Sequence, residues 1–286
     1  MKEQRFKSFF LSLLFSFIGV LLPILTFAQN KKAYGVLSED GKTFTFRYDE
    51  QGDKYAAFKF GHESVSESVE KVIFAPSFKA YRPTSTAKLF YGSESLKEIE
   101  GIENLNTEQV ANMGSMFSGC SSLASLNLSN FTTERVENME GMFSDCSSLQ
   151  SLNLSNFNTE QVRSMAGMFY DCSSLRSLNF SNFKTRQVTD MSWMFCFCSS
   201  LTSLNLSKFN TEQVHEMTSM FAGCSSLIVL DLSNFNTGKI NGLADMFSGC
   251  SSLTVLNLDN FNVKRAYIFN VFNNCTNLQT IYCRNS

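Results

Sequence analysis

Any chemistry in this 286-residue chain would begin at WMFCFCSSL, residues 193–201, which holds the only tryptophan, Trp193, beside Phe195, Cys196, Phe197 and Cys198. A Cys-x-Cys pair among aromatic rings could be a redox couple, half a metal site or a catalytic thiol in an apolar pocket. The two histidines, His62 and His215, are the available general bases. What decides among these readings is the setting, and the setting is a repeat.

Cys120, Cys146, Cys172, Cys198, Cys224 and Cys250 recur every 26 residues in the phrase M-F-x-x-C-S-S-L, and Cys275 follows 25 later. A fixed period of this length marks a solenoid, in which each copy stacks on its neighbours to bury a face it cannot bury alone. Positions one period apart then form columns. His215 falls in a column with Glu137, Arg163, Thr189 and Asn241, a column of surface residues that Cys196 does not share. No Gly-rich phosphate loop, zinc-ligand pair or nucleophile elbow is present. The expectation is no enzyme, no catalytic residue, no metal and no cofactor.

Within one copy, residues 133–158, Val136, Met139, Met142, Phe143 and Cys146 are spaced by threes and fours, which predicts a short helix with Thr133 as its N-cap. Leu149, Leu152 and Leu154 follow L-x-x-L-x-L, and Phe157 closes the inward set, which predicts a short strand. The fold class is therefore α/β: a leucine-rich-repeat solenoid with a parallel strand ribbon on one face and short helices on the other. Earlier copies are degenerate, and nine strand slots run from Val69 to Cys283. Cys283 occupies a leucine slot and is expected in the core. Ahead of the array, AYGVLSEDGKTFTFRY alternates on both sides of Asp40-Gly41, predicting a β-hairpin that caps the first coil. No comparable cap is recognisable after Leu278, Ile281 and Cys283, so this edge is expected to be either paired with another molecule or protected in some other way.

Residues 1–28 read as a signal peptide: Lys2, Arg5 and Lys7, an apolar stretch from Phe9 to Phe27, then Ala28 before the polar sequence. The alternative is an uncleaved anchor. Residues 29–68 form a β-rich capping region and 69–286 the solenoid. With the leader removed, no membrane span is expected, and the destination is secreted or cell-surface. The formal charge is −2, and the repeats suggest no basic stripe or Lys/Arg cluster, so nucleic acid is not an expected partner.

Three columns bear on binding. The position before each repeat cysteine reads Gly92, Gly119, Asp145, Asp171, Phe197, Gly223, Gly249 and Asn274, residues suited to a left-handed backbone, with Phe197 as the exception. Trp193 interrupts a column of Ser115, Gly141, Gly167, Ser219 and Asp245, and Cys196 lies in one with Ser118, Ser144, Tyr170, Ala222 and Ser248. Tyr170, Trp193, Cys196 and Phe197 are thus candidate contact residues; local repacking is the alternative. A polar ladder of Asn127, Asn153, Asn179, Asn205, Asp231 and Asn257 on the strand face is either a second candidate surface or solvated polarity. Cys198 and its column are expected to be scaffold, a row of small buried thiols, with disulfides as the alternative.

The segment LNTEQVANMGSMFSGCSSLASLNLSNFTTERV, residues 105–136, resembles the repeat of bacterial BspA-like leucine-rich-repeat surface proteins, and the likeness extends over residues 33–283. The resemblance implies a non-catalytic, adhesin-like binding protein. It implies host extracellular-matrix or surface proteins, other bacterial surfaces, or glycans as partners. The alternative is a self-associating structural component of the cell surface.

Overall fold

The computed structural model describes residues 31–284, so the signal-peptide expectation lies outside the described residues. Strand β1 (Lys32–Leu37) turns through Asp40 and Gly41 into antiparallel β2 (Thr43–Asp49). Gly41 holds the left-handed turn at φ 70°, and Asp40 Oδ1 accepts hydrogen bonds from Ser38 Oγ and Lys42 N. The hairpin then pairs β2 in parallel with β3 (Lys71–Phe74), and β3 pairs with β4 (Glu98–Glu100), so it extends the ribbon beyond the first coil as expected.

The ribbon continues through β5 (Ser151–Asn153) and β6 (Ser177–Asn179), and through β7 (Val229–Asp231), β8 (Val255–Asn257) and β9 (Thr280–Tyr282). Register is set one period apart: Leu152 faces Leu178, and Leu230 faces Leu256, which faces Ile281. Seven of the nine slots are thus strands; 125–127 and 203–205 are not.

The opposite face departs from expectation. Val136, Met139, Met142, Phe143 and Cys146 are buried as their spacing requires, yet no α-helix forms there. Two residues per coil are left-handed, Gly141 at φ 58° and Asp145 at φ 59° in this one, and a right-handed helix cannot pass through them. The segment instead alternates tight turns, such as Met142 N to Met139 O at 3.2 Å, with bonds to the next coil, such as Phe143 N to Met168 O at 2.9 Å. A continuous row of parallel bridges, Ser85, Asn112, Asn138, Ser164, Asp190, Glu216, Gly242 and Tyr267, runs along this face. Backbone donors that a helix would satisfy internally are spent on joining coils.

Thr133 is accordingly not an N-cap. Its Oγ1 donates to Asn158 O at 2.9 Å and accepts from Asn158 N at 2.8 Å. Thr159 does the same with Lys184, Thr185 with Asn210 and Thr211 with Asn236. Inside, Phe90, Phe117, Phe143, Phe169, Phe195, Phe221, Phe247 and Phe272 stack as one ladder with centroids 5.2–5.8 Å apart.

The cysteine column is equally regular. Each thiol donates to a phenylalanine carbonyl of the preceding coil: Cys146 to Phe117 O at 3.2 Å, Cys172 to Phe143 O at 3.0 Å, Cys198 to Phe169 O at 3.0 Å. Ser93 opens the column with the same chemistry, its Oγ 2.9 Å from Val65 O. A small donor is what the position demands, which explains why one serine and seven cysteines fill it and larger residues do not. Cys283, expected in the core, is exposed, because no further coil covers it among the described residues.

Candidate functional site on the turn face

Backbone geometry singles out one coil. The column of Trp193 is left-handed throughout: Ser115, Gly141, Gly167, Trp193, Ser219 and Asp245 have φ between 54° and 58°. The column of Phe197 is left-handed too, from Gly119 at 79° to Asp171 at 48°, with Phe197 itself at 60°. The sequence signals the second column through its Gly, Asp and Asn content. The first, of Gly, Ser and Asp, carries the same meaning, not merely light packing.

Bulky side chains at positive φ are strained by roughly 1–2 kcal/mol each. One coil carries two of them four residues apart, and inter-coil bonds hold both in place: Trp193 N to Thr218 O at 2.9 Å and Phe197 N to Ala222 O at 2.7 Å. Neither strained side chain is hidden, for Trp193 is 47% and Phe197 49% exposed. The half-buried Tyr170 meets Phe197 edge-on, centroids 5.8 Å apart and planes at 85°. Tyr170 and Trp193 also wall a hollow of about 430 Å³ whose floor includes Gly141 and Gly167. Phe197 lies over Gly223 of the next coil, where a methyl group would overlap its ring.

Cys196 does not belong to this surface. It is 3% exposed, and burial, with Asp171 adding to it, pushes its thiol up to about 12. That direction is opposite to the lowered pKa of an activated nucleophile. Burial likewise raises the thiols of Cys172, Cys198 and Cys224 well above the ordinary value. Half-buried His215 is fixed by its backbone, N to Thr189 O at 2.8 Å.

The polar ladder has a structural use that the sequence did not declare. Asn127 Oδ1 accepts from Ser129 N at 3.1 Å, and Asn153, Asn179, Asn205, Asp231 and Asn257 each accept from the amide two residues on. These are Asx turns that end each strand slot. Among the described residues no group of His, Cys, Asp and Glu is arranged to hold a metal ion, and no helix is long and apolar enough to cross a membrane.

A family model described as "Mycoplasma protein of unknown function, DUF285" matches residues 84–195 and 174–283. The chain belongs to this family. The DUF285 match over the coils agrees with the resemblance to BspA-like leucine-rich-repeat proteins. Among solved structures, a leucine-rich cell surface protein of Faecalibacterium prausnitzii A2-165 is similar at 15% identity, covering 91% of this chain and 96% of its own, with a TM-score of 0.32. The leucine-rich-repeat protein of T. pallidum is similar at 17% identity over 86% of this chain and 87% of its own, with a TM-score of 0.34. No curated protein matches the chain.

Proposed function

We propose that this DUF285 protein is an extracytoplasmic binding scaffold, secreted or displayed at the cell surface, that captures ligands without chemistry in the manner of an adhesin. One observation carries the reading: a single coil holds two exposed aromatic side chains, Trp193 and Phe197, in left-handed backbone positions that the other coils fill chiefly with Gly, Ser, Asp or Asn. Strain kept at an exposed site is characteristic of a contact surface. Aromatic residues are also the side chains that most often dominate binding energy.

The test is a capture screen on immobilised matrix proteins, mucins and glycans, with the Trp193→Ser, Phe197→Gly double variant alongside. The expected result is at least a roughly tenfold loss of capture with the melting temperature within about 4 °C of the parent's. Equal capture by the variant would remove the patch from the reading.

A second reading, a self-associating surface component, is favoured by the apolar surface formed by Ile268, Phe269, Phe272 and Ile281 beside a hollow of about 480 Å³. Sedimentation velocity over a wide concentration range tests it. Growth with concentration that Ile268→Asp abolishes supports self-association, and a concentration-independent monomer excludes it.

A further inference from the structure

The chain has no linear run of basic residues, but the coil period assembles a cluster in space. Arg163, Lys184, Arg186 and Lys208 line one cleft of about 700 Å³, with Glu160 as the single acid among its walls. All four cations are exposed. Lys184 pairs with Glu160 at 2.8 Å, and Arg163 reaches Glu137 at 3.9 Å. The cleft therefore carries an excess of positive charge on a chain whose formal charge is negative.

Column comparison shows that these cations are exceptions. Lys184 stands where neighbouring coils have Asn158 and Asn210, and Arg186 where they have Glu160 and Glu212. Lys208 is the most telling. Its column otherwise reads Asn104, Asn130, Asn156, Asn182, Asn234 and Asn260, and each of those side-chain amides donates to a carbonyl of the preceding coil. Asn156 and Asn234 each make two such bonds, at 2.8 and 3.0 Å. Lysine at this place gives up the amide rung that the rest of the solenoid uses, so the fold does not account for it.

Two further hollows adjoin the cleft. One shares Lys184 and Lys208 with it, and the other shares Lys208 and leads past Asn205 onto the strand face. Together they form a path for a linear ligand. Its neutral walls, Gln187, Thr189, Asn210 and Gln213, present amides and hydroxyls suited to sugar hydroxyl groups. The phenylalanines along it, Phe157, Phe180 and Phe183, are at most 4% exposed, so no ring is offered for stacking a nucleic-acid base.

We propose that this cleft binds a linear sulfated polysaccharide, its sulfate groups held by Lys184, Arg186 and Lys208. The inference rests on the reading of the chain as an extracytoplasmic binding scaffold and names a ligand class for it. It uses a surface other than the Trp193 patch.

The experiment titrates the protein spanning residues 29–286 with a heparin oligosaccharide at low ionic strength. Hyaluronan, which carries carboxylates only, and a single-stranded DNA of equal charge serve as comparisons. The variant Lys184→Asn, Arg186→Glu, Lys208→Asn returns each position to its column residue. Expected are heparin binding that added salt weakens, tighter than for either comparison ligand, and a roughly tenfold or larger loss in the triple variant. The melting temperature of Lys208→Asn alone should be unchanged or higher, since the amide rung is restored, so loss of binding cannot be assigned to unfolding. No heparin binding by the parent, equal binding by the triple variant, or DNA bound as tightly as heparin would each overturn the proposal. The Trp193→Ser, Phe197→Gly variant separates the two readings. If it loses matrix-protein capture while the parent fails to bind heparin, the scaffold reading survives and the polysaccharide site does not.

Discussion

Residues 133–158 and 185–210 are two coils with one interior. Val136, Met139, Met142, Phe143, Cys146, Leu149 and Phe157 in the first correspond to Val188, Met191, Met194, Phe195, Cys198, Leu201 and Phe209 in the second, identical in type and buried in both. Their surfaces differ. Where the first has Glu134, Gly141, Asp145 and Asn156, the second has Arg186, Trp193, Phe197 and Lys208. The fold's demands are met equally by both coils, so stacking alone does not require the second coil's surface residues. A repeat protein thus carries its own control: the regular coil shows what stacking requires, and the remainder is free for recognition.

The largest effect that bears on this equivalence belongs to the thiols, which both coils share. Burial pushes Cys146 and Cys250 up to about 12 from an ordinary value of 9.0, and raises Cys172, Cys198 and Cys224 in the same direction. A thiol whose folded pKa is raised stays neutral in the folded state while the unfolded chain ionises. Its contribution is complete below about pH 9 and is lost as pH rises toward the folded value. At about 1.4 kcal/mol per thiol per pH unit, a row of such groups removes several kcal/mol by about pH 10. Urea midpoints at neutral pH, pH 9 and pH 10 should fall steeply over the last interval, and less steeply when Cys146 and Cys172 are both serine. An unchanged slope in that variant would mean that the thiols are not the groups responsible.

Next in size is core truncation. Phe143→Ala and Phe195→Ala each remove one rung of a stacked ladder with centroids 5.6–5.7 Å from their neighbours, and each should cost about 3–5 kcal/mol. Phe195 also meets the edge of Phe180 at 5.8 Å, so its cost should be the greater by about 1 kcal/mol. Denaturant titration of both variants checks this. A gap of several kcal/mol in either direction would break the claim that the two interiors are equivalent.

The period made most of this interior legible from sequence, because a buried column tolerates almost no variation: the strand leucines, the phenylalanine ladder and the cysteine row are where their spacing puts them. The turn face was misread for a physical reason. Spacings of three and four describe which residues point inward, and tight turns joined by two left-handed residues four apart give the same spacing as a helix. The glycine, serine and aspartate at 115, 141, 167 and 245 were the available sign of those joints. The basic cleft is not legible in the sequence because its members lie about one coil apart, at 163, 184, 186 and 208, and become neighbours only once the coils stack.

The smallest effect tests the claim that the aromatic patch is dispensable to folding. Phe197→Gly relieves a left-handed backbone angle of 60° that disfavours a bulky residue by roughly 1–2 kcal/mol. Against this stand the edge contact with Tyr170, about 0.5–1.5 kcal/mol, and the added freedom of glycine in the unfolded chain, about 0.5–1 kcal/mol. The net change should lie within about 1 kcal/mol of zero, far below the cost at Phe195, although both substitutions remove a phenyl ring. Gly223 gives the sharper measurement, because a methyl group there overlaps the Phe197 ring. Gly223→Ala should be costly with Phe197 present and cheaper by about 1 kcal/mol with glycine at 197, the remainder being the strain of its own φ of 71°. A cycle of these two substitutions without coupling would mean that the ring does not rest on Gly223. The second coil would then have room to hold its aromatic surface in more than one place.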